Sequence, residues 1–304
     1  MMSPIHRRGF LAGTAAAGAA VALANTSHAS GMARPLNRVP DGPTDTVTLG
    51  NTGIEVSLIG MGTGSNGVNQ SSNQTKLGVK ECSRVIRHAF DSGIRFFDVA
   101  DQYGSHHYLR EALKGIPRNQ YVIQTKTHAN DYREAKSHLE RFRMELDVEY
   151  VDTLLLHCMQ TADWTDKKAG AMEYISEAKE AGLVRAHGVS CHGMDPLRVA
   201  AQHPWVEVDL ARVNPEAVAM DSADPSEVTD QLRIMHNAGK GVIGMKICGN
   251  GQFKEPERRD ASLRFVFGLG VVDMIVVGLE STEQVDDLMS RAQRALDFVR
   301  SERA

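Results

Sequence analysis

Four polar residues stand where short apolar runs end, and their side chains suit acid–base chemistry. Asp98 closes the run FFD, Tyr103 follows it, Lys126 ends the run QTK, and His157 follows three leucines. A carbonyl that accepts a hydride needs a proton for its oxygen. A phenol, whose pKa is about 10, serves as an acid–base group near neutral pH only if its surroundings tune it.

The four side chains form a set in which each has a role. A lysine ammonium favours the phenolate, so we expect Lys126 to lower the pKa of Tyr103. Asp98 would hold Lys126 charged, and His157 would donate a hydrogen bond to the carbonyl. Singly, the residues could be a strand-end cap, a rim aromatic, a solvated charge and a core histidine. Their positions at the ends of successive strands favour the catalytic interpretation.

The elements that must position these residues alternate regularly along the chain. Helices are predicted to start near Val79, His106, Arg133, Ala169, Asp195, Glu227, Arg258 and Thr282. Continuous apolar runs predict buried parallel strands at 57–62, 96–100, 121–127, 151–158, 185–190, 209–214, 241–247 and 274–278.

Eight strand–helix units predict an α/β fold, the (β/α)8 TIM barrel, in which the carboxyl ends of the strands meet at one mouth. A short β-hairpin over 47–57 precedes them. A doubly wound open sheet is the alternative. It is disfavoured because the glycine-rich turn 62–67 lacks the Gly-x-Gly-x-x-Gly spacing before a helix.

The N-terminal residues 1–29 have the features of a twin-arginine (Tat) signal peptide. Arg7 and Arg8 precede a mildly apolar stretch over 11–24, and Ser27-His28-Ala29 offers a cleavage site. The stretch is too short and too weakly apolar for a stable membrane span. We therefore expect export by the Tat machinery to the periplasm, a linker over 30–46 and a barrel domain over 47–304.

Composition excludes some partners. The net charge is −4 and no basic block occurs, so nucleic acid is not an expected partner. Three of the four cysteines, Cys158, Cys191 and Cys248, fall at strand ends near His157 and His192. A metal-dependent enzyme is thus an alternative, but space-filling thiols are the favoured interpretation and no metal site is predicted.

The segments LGNTGIEVSLIGMGT, FFDVADQYG, TK and LLLH resemble the aldo/keto reductase superfamily, and the resemblance covers about 47–294. It implies that Tyr103 is the general acid, Lys126 tunes it, Asp98 pairs with Lys126, and His157 orients the substrate. It also implies a nicotinamide dinucleotide, NADP or NAD, bound in extended form. The substrate would be a small carbonyl compound (aldehyde, ketone or sugar) or its alcohol.

The resemblance further implies a set of cofactor-binding residues, some of which depart from the family pattern. Cys191 stands where asparagine is frequent, and Asn214 stands where glutamine is frequent. Glu280 and Gln284 stand where NADPH-specific members carry Lys or Arg, so NADH, a compensating base or weak adenosine binding remain open. The set is Gly62, Thr63, Ser190, Cys191, Asn214, Lys246, Gly278, Ser281, Gln284 and Asp287.

Two further expectations concern the mouth and the mode of action. The polar loop 65–78 could bind hydroxyl-rich ligands, and His106-His107 would be a substrate-loop or capping feature rather than a metal pair. Export predicts a tightly held, internally recycled cofactor and suits a sugar or polyol. A non-catalytic ligand-binding protein on the same barrel is the alternative function.

Overall fold

The structure, a computed structural model, describes residues 35–304. The predicted signal peptide 1–29 and the first part of the predicted linker lie outside the described residues. Across 35–304, no helix is both long enough and apolar enough to cross a membrane.

Eight parallel strands close into a barrel, which confirms the predicted (β/α)8 fold. The last strand pairs with both the first barrel strand and its own predecessor, so no sheet edge is left open. The barrel strands are β3 (Ile59–Gly62), β4 (Phe96–Asp98), β5 (Val122–Thr127), β6 (Val151–Met159), β7 (Val184–Cys191), β8 (Val208–Arg212), β9 (Gly241–Met245) and β10 (Met274–Gly278).

The helices surround the barrel, and the predicted starts differ from the observed ones by at most two residues. Of two one-turn helices, α1 (Asn73–Lys76) lies within the predicted loop 65–78, and α5 (Trp164–Lys167) lies between a predicted strand and a predicted helix. The other helices are α2 (Val79–Asp91), α3 (His106–Ala112), α4 (Tyr132–Leu146), α6 (Ala169–Glu180), α7 (Met194–Gln202), α8 (Pro225–Asn237), α9 (Pro256–Leu269) and α10 (Thr282–Arg303).

The predicted N-terminal hairpin is present and fills the amino-terminal end of the barrel. Strand β1 (Thr46–Thr48) pairs antiparallel with β2 (Glu55–Ser57). Leu49, Ile54 and Val56 are buried and pack in one apolar cluster with inward-facing residues of the barrel strands. The hairpin therefore closes the end of the barrel opposite to the mouth.

Alternation along the strands divides the barrel interior into an apolar lower part and a polar upper part. In β5, Val122 belongs to the interior apolar cluster, whereas Ile123 packs in the outer core with the helices. Because successive strand side chains point to opposite faces, Gln124 and Lys126 share the inward face with Val122. The same two-residue step takes β4 from Phe96 to Asp98 and β6 from Leu155 to His157.

The part of the predicted linker that the structure describes is irregular and is bonded to the barrel. The Asn37 backbone N–H donates to Gly270 O, and its side chain donates to Asp273. Arg300 of α10 pairs with Asp41 at 2.7 Å. From residue 35 onward the segment thus belongs to the barrel's own hydrogen-bond network.

Candidate active site

A buried ion pair joins the ends of β4 and β5. Lys126 is fully buried, and its Nζ lies 2.5 Å from Asp98 Oδ1 and 3.1 Å from the Val99 carbonyl oxygen. Burial lowers the pKa of Lys126, and the Asp98 carboxylate opposes that change. A buried ion pair is stable only when its remaining hydrogen-bonding groups are satisfied.

The same ammonium reaches Tyr103, which lies in a 3-10 turn directly after β4. Lys126 Nζ is 3.4 Å from the Tyr103 hydroxyl and 4.7 Å from the centre of its ring. The turn begins at Asp101, whose carboxylate accepts hydrogen bonds from Arg141 of α4 at 2.8 Å and from Gln70 at 3.0 Å. Asp101 and Arg141 therefore fix the turn that presents Tyr103, a role that the sequence analysis missed.

The expected lowering of the Tyr103 pKa is wrong for this arrangement. Burial, followed by the negative charges of Asp98 and Cys158, raises the pKa of Tyr103 well above its ordinary value. Asp98 lies so close to Lys126 that it cancels most of the positive charge felt by the phenol. Tyr103 is thus held as a protonated phenol, the form that can donate a proton.

His157 faces the same hydroxyl from β6. Its Nε2 is 3.3 Å from Tyr103 Oη, and His128 stacks on its ring at 4.6 Å between centroids. Burial, and then the positive charge of Lys126, lower the pKa of His157 well below its usual value. His157 is therefore a neutral imidazole near pH 7, and can donate a hydrogen bond without carrying charge.

Two residues that the sequence analysis did not single out support the ion pair from the side nearer the amino end of the barrel. Gln124 Nε2 donates to Asp98 Oδ1 at 2.8 Å, and Thr153 Oγ1 donates to Gln124 Oε1 at 3.1 Å. The parallel register places Gln124 beside Asp98 on one side and beside Thr153 on the other. The sequence signal that could have identified them is a polar residue at an inward-facing position of a barrel strand.

The polar loop 65–78, predicted to lie above the mouth, contacts Tyr103 through Gly67, and Gly64 just before the loop contacts the same ring. A Cβ at Gly64 would lie 2.2 Å from the Tyr103 ring, and one at Gly67 would lie 2.3 Å from it. Only glycine lets the loop backbone approach the ring so closely. Farther along, Asn73 Nδ2 donates to Glu280 Oε1 at 2.9 Å, so the loop reaches across to the start of α10.

A cleft of about 510 Å³ leads from Tyr103 and Asp98 toward the amino end of α10. It passes between the ends of β3, β9 and β10 and the loops that follow them. Of the predicted cofactor-binding residues, the cleft is lined by Gly62, Lys246, Gly278, Gln284 and Asp287. It is also lined by three basic residues that the sequence analysis missed, Lys254, Arg259 and Arg291.

The other predicted cofactor-binding residues do not line this cleft. Thr63 and Ser190 are buried and serve the strand ends: the Thr63 hydroxyl donates to Asp98 O, and Ser190 Oγ accepts from Cys158 N. Asn214 is fully buried, and its amide bonds Val218 and Lys246 O. Ser281 instead caps α10 through Gln284 N.

The structure gives no support to the metal alternative. Cys191 is buried beside Asp209, with Sγ 3.8 Å from Oδ2, whereas Cys158 contacts His192. Within 35–304, no group of three or more His, Cys, Asp or Glu side chains is placed to hold a metal ion.

His106, expected to be a substrate-loop or capping feature, is instead a buried residue behind the site. It is buried under α4, with ring nitrogens 2.6 Å from Glu145 and 2.8 Å from Thr125 Oγ1. It therefore joins α3, α4 and β5 behind the site.

Comparison with known proteins identifies the family to which the chain belongs. Residues 58–266 match the model of the aldo/keto reductase family, and the chain belongs to that family. Residues 4–24 match the twin-arginine translocation signal sequence. The chain is therefore an aldo/keto reductase family protein with a Tat signal, as the sequence analysis predicted.

Named relatives are reductases and dehydrogenases. The chain is 32% identical over 180 residues to "Probable aldo-keto reductase 1" of Glycine max. This alignment covers 54% of the chain and 50% of the relative. The chain is 24% identical over 286 residues to L-galactose dehydrogenase of Arabidopsis thaliana, covering 79% of this chain and 85% of that protein. The solved structure "Putative aldo-keto reductase from Pseudomona aeruginosa" has the same fold, with a TM-score of 0.70 at 21% identity, covering 85% of this chain and 98% of that chain.

The loop contact with Tyr103 makes a testable prediction. In Gly67→Ala the new methyl must displace the loop or the Tyr103 ring, because the two cannot occupy the same space. We expect oxidoreductase turnover to fall by about tenfold to a hundredfold, since small misplacement of a reacting side chain is costly. Steady-state kinetics and the melting temperature separate loss of alignment from loss of fold.

The matched control is Gly268→Ala, because a Cβ at that position in α9 meets no atom within 4 Å. This variant should keep wild-type kinetics. Wild-type turnover in Gly67→Ala would contradict the claim that the loop positions Tyr103.

Proposed function

We propose that this chain is an NAD(P)-dependent oxidoreductase that interconverts a small carbonyl compound and its alcohol, with Tyr103 as the general acid and base. The observation that carries the proposal is the hydrogen-bonded set at the mouth. The Tyr103 hydroxyl lies 3.4 Å from Lys126 Nζ and 3.3 Å from His157 Nε2, at the inner end of the cleft. A phenol between an ammonium and a neutral imidazole is arranged to give up a proton and to have its anion stabilised.

In the reductive direction, Tyr103 supplies the proton. A substrate oxygen within reach of the Tyr103 hydroxyl and of His157 Nε2 accepts a hydrogen bond from each. As the carbon gains a hydride, the Tyr103 O–H proton passes to the oxygen. Lys126 then acts on the product phenolate, whose charge it neutralises at close range. In oxidation the same phenolate takes the alcohol proton.

The cleft suits a nicotinamide dinucleotide, which supplies or accepts the hydride when bound. Lys246, Lys254, Arg259 and Arg291 line it, and cations of this kind match the charge of a diphosphate. Two of them are already engaged, because Arg259 and Arg291 both contact Asp287, at 3.3 and 2.8 Å. Lys246 and Lys254 are therefore the residues best placed to hold the diphosphate.

The Tat signal supports a periplasmic location with the dinucleotide already bound. Tat substrates are exported folded, so a cofactor acquired in the cytoplasm can travel inside the protein. The contact between Asn73 and Glu280 joins the loop 65–78 to the amino end of α10, at the rim of the cleft. We infer that this contact slows release of the dinucleotide, which permits repeated turnover with one bound cofactor.

The proposal is tested by comparing Tyr103→Phe with wild type. Loss of the hydroxyl should reduce carbonyl reduction by at least about a hundredfold, the usual contribution of a general acid, while dinucleotide binding stays unchanged. Nucleotide fluorescence titration and single-turnover hydride transfer measure the two effects separately. Tyr132→Phe is the matched control, because within 35–304 that hydroxyl bonds only Glu177, on the outer surface.

Two results would contradict the proposal. Unchanged reduction in Tyr103→Phe would remove Tyr103 from the chemistry. Failure of wild type to bind either NADH or NADPH would favour the alternative, a ligand-binding protein on the same barrel.

Cofactor preference gives a separate prediction. The Glu280 carboxylate lines the outer end of the cleft and would repel a 2′-phosphate, so we expect NADH to bind more tightly than NADPH. Glu280→Gln removes the charge and retains an oxygen that can accept from Asn73. It should improve NADPH binding by about tenfold with little change for NADH, measured by fluorescence titration.

The control for this test is Glu283→Gln, an exposed residue in the first turn of α10 that does not line the cleft. It should leave both affinities unchanged. A Glu280→Gln variant with unchanged NADPH affinity would contradict the assigned role.

A further inference from the structure

The buried imidazole of His157 is bonded at only one of its two nitrogens. Nε2 faces the Tyr103 hydroxyl at 3.3 Å, whereas Nδ1 is buried and has no hydrogen-bond partner among the residues that the structure describes. A functional histidine is commonly oriented by a hydrogen bond from its second nitrogen to a carbonyl or carboxylate. His157 lacks that bond, so a different contact has to keep its ring in place.

The unpaired Nδ1 also indicates where the proton of neutral His157 lies. A buried N–H without an acceptor is rarer in proteins than a buried acceptor without a donor. We therefore place the proton on Nε2, the nitrogen that faces Tyr103. Rotation of the ring about its Cβ–Cγ bond would turn this N–H away from the position of the substrate oxygen.

The ring of His128 covers one face of the His157 ring. The two centroids lie 4.6 Å apart and the ring planes meet at 25°, the arrangement of a stacked pair. His128 directly follows β5 and is exposed, whereas His157 is buried near the end of β6. A rotating His157 ring would collide with this neighbour, so the stack opposes rotation.

Two hydrogen bonds fix His128 in turn. Its Nε2 donates to Gln102 Oε1 at 2.7 Å, and Gln102 precedes Tyr103 in the 3-10 turn after β4. The ammonium of Lys168, directly before α6, donates to the backbone oxygen of His128 at 2.7 Å. His128 is therefore tied both to the turn that presents Tyr103 and to the helix layer.

Neither ring of the stack is charged near pH 7. Burial, and then the positive charge of Lys168, lower the pKa of His128 below its ordinary value of about 6.5. Burial and the charge of Lys126 do the same to the pKa of His157. Two neutral imidazoles stack without the repulsion that two imidazolium ions would have, so the contact is compatible with the neutral His157 of the proposed chemistry.

The contacts form a closed circuit around the Tyr103 hydroxyl. Tyr103 meets His157, which stacks on His128. His128 bonds Gln102, and Gln102 adjoins Tyr103 along the chain. We propose that His128 is a positioning residue, which holds the His157 imidazole in the orientation that donates to the substrate oxygen. The inference rests on the proposed function, because it assigns a further role within the same site.

Kinetics of His128→Ala and His128→Phe test the proposal, with glyceraldehyde as the carbonyl compound. Alanine removes the stack, so kcat should fall by about tenfold. The Kd of the dinucleotide should stay unchanged, because His128 does not line the cleft. Phenylalanine keeps a ring that stacks on His157 and should restore most of the lost kcat. Melting temperatures of both variants check that the fold is retained.

A His157→Ala background separates positioning from a general effect on the fold. If His128 acts only through His157, adding His128→Ala to a chain without that imidazole should leave kcat within about twofold. His88→Ala is the matched control, because it removes another histidine, one that pairs with Asp286 on the outer surface. It should keep wild-type kcat.

Three kinetic results would overturn the inference. The first is wild-type kcat in His128→Ala, and the second is a His128→Phe variant as slow as His128→Ala. The third is loss of kcat by the same factor with and without His157, because a residue that acts through His157 has nothing to position once that imidazole is removed.

The nitrogen-15 NMR shifts of the His157 ring test the inference without turnover. These signals are identified by their loss in His157→Ala. Wild type should show one neutral form with hydrogen on Nε2. His128→Ala should show a mixture with the Nδ1–H form, because the freed ring can rotate and meet water.

The NMR result also separates this inference from the proposed function. An Nδ1–H form in wild type, or the same single form in both proteins, would overturn the inference and leave the proposed function standing. The expected difference in a protein that reduces no carbonyl compound would support the positioning of His157 by His128, and only the proposed oxidoreductase chemistry would then fail.

Discussion

The site depends on placing a lysine ammonium inside the barrel, out of contact with water. Lys126 has no exposed surface, and taking its charge from water costs several kcal/mol by order of magnitude. The structure offsets this cost with three oxygen acceptors, on Asp98, Val99 and Tyr103. Gln124 and Thr153 extend the hydrogen bonds to β6, so three adjacent strands hold one charge.

Burial and the charges of the ion pair set the resting protonation of the two neighbouring groups. Burial and the Asp98 charge keep Tyr103 protonated, and burial with the Lys126 charge keeps His157 neutral. When the proton leaves, the new negative charge lies 3.4 Å from the ammonium and lowers the cost of the phenolate. Asp98, Lys126 and Tyr103 together thus provide a protonated donor at rest and a stabilised anion after proton transfer.

The sequence predicted the fold and the convergence of Asp98, Tyr103, Lys126 and His157 at one mouth, because both follow from periodic signals. Apolar runs separated by amphipathic segments fix the strands and helices, and a barrel then brings the strand ends together. Asp98, Lys126 and His157 lie at inward positions set by two-residue alternation.

The cofactor-binding residues were harder to predict from sequence, because side chains at strand ends point either inward or outward, and the loops that follow decide the direction. Asn214 was assigned to the nicotinamide by position, but its side-chain amide is hydrogen-bonded to the backbone N–H and carbonyl of Val218. The register shift near the end of β6 and the positive φ of Cys158 and Lys246 have no sequence signature.

The most direct test of this account is the ionisation of Tyr103 itself. The difference in tyrosinate absorbance between wild type and Tyr103→Phe, followed as pH rises, reports that one phenol among six tyrosines. Burial and the Asp98 charge hold its pKa above the ordinary value of about 10, so the account predicts no Tyr103 ionisation between pH 6 and about pH 10. Ionisation centred near pH 7 to 8 would contradict it, because Lys126 would then act on the resting phenol uncancelled by Asp98.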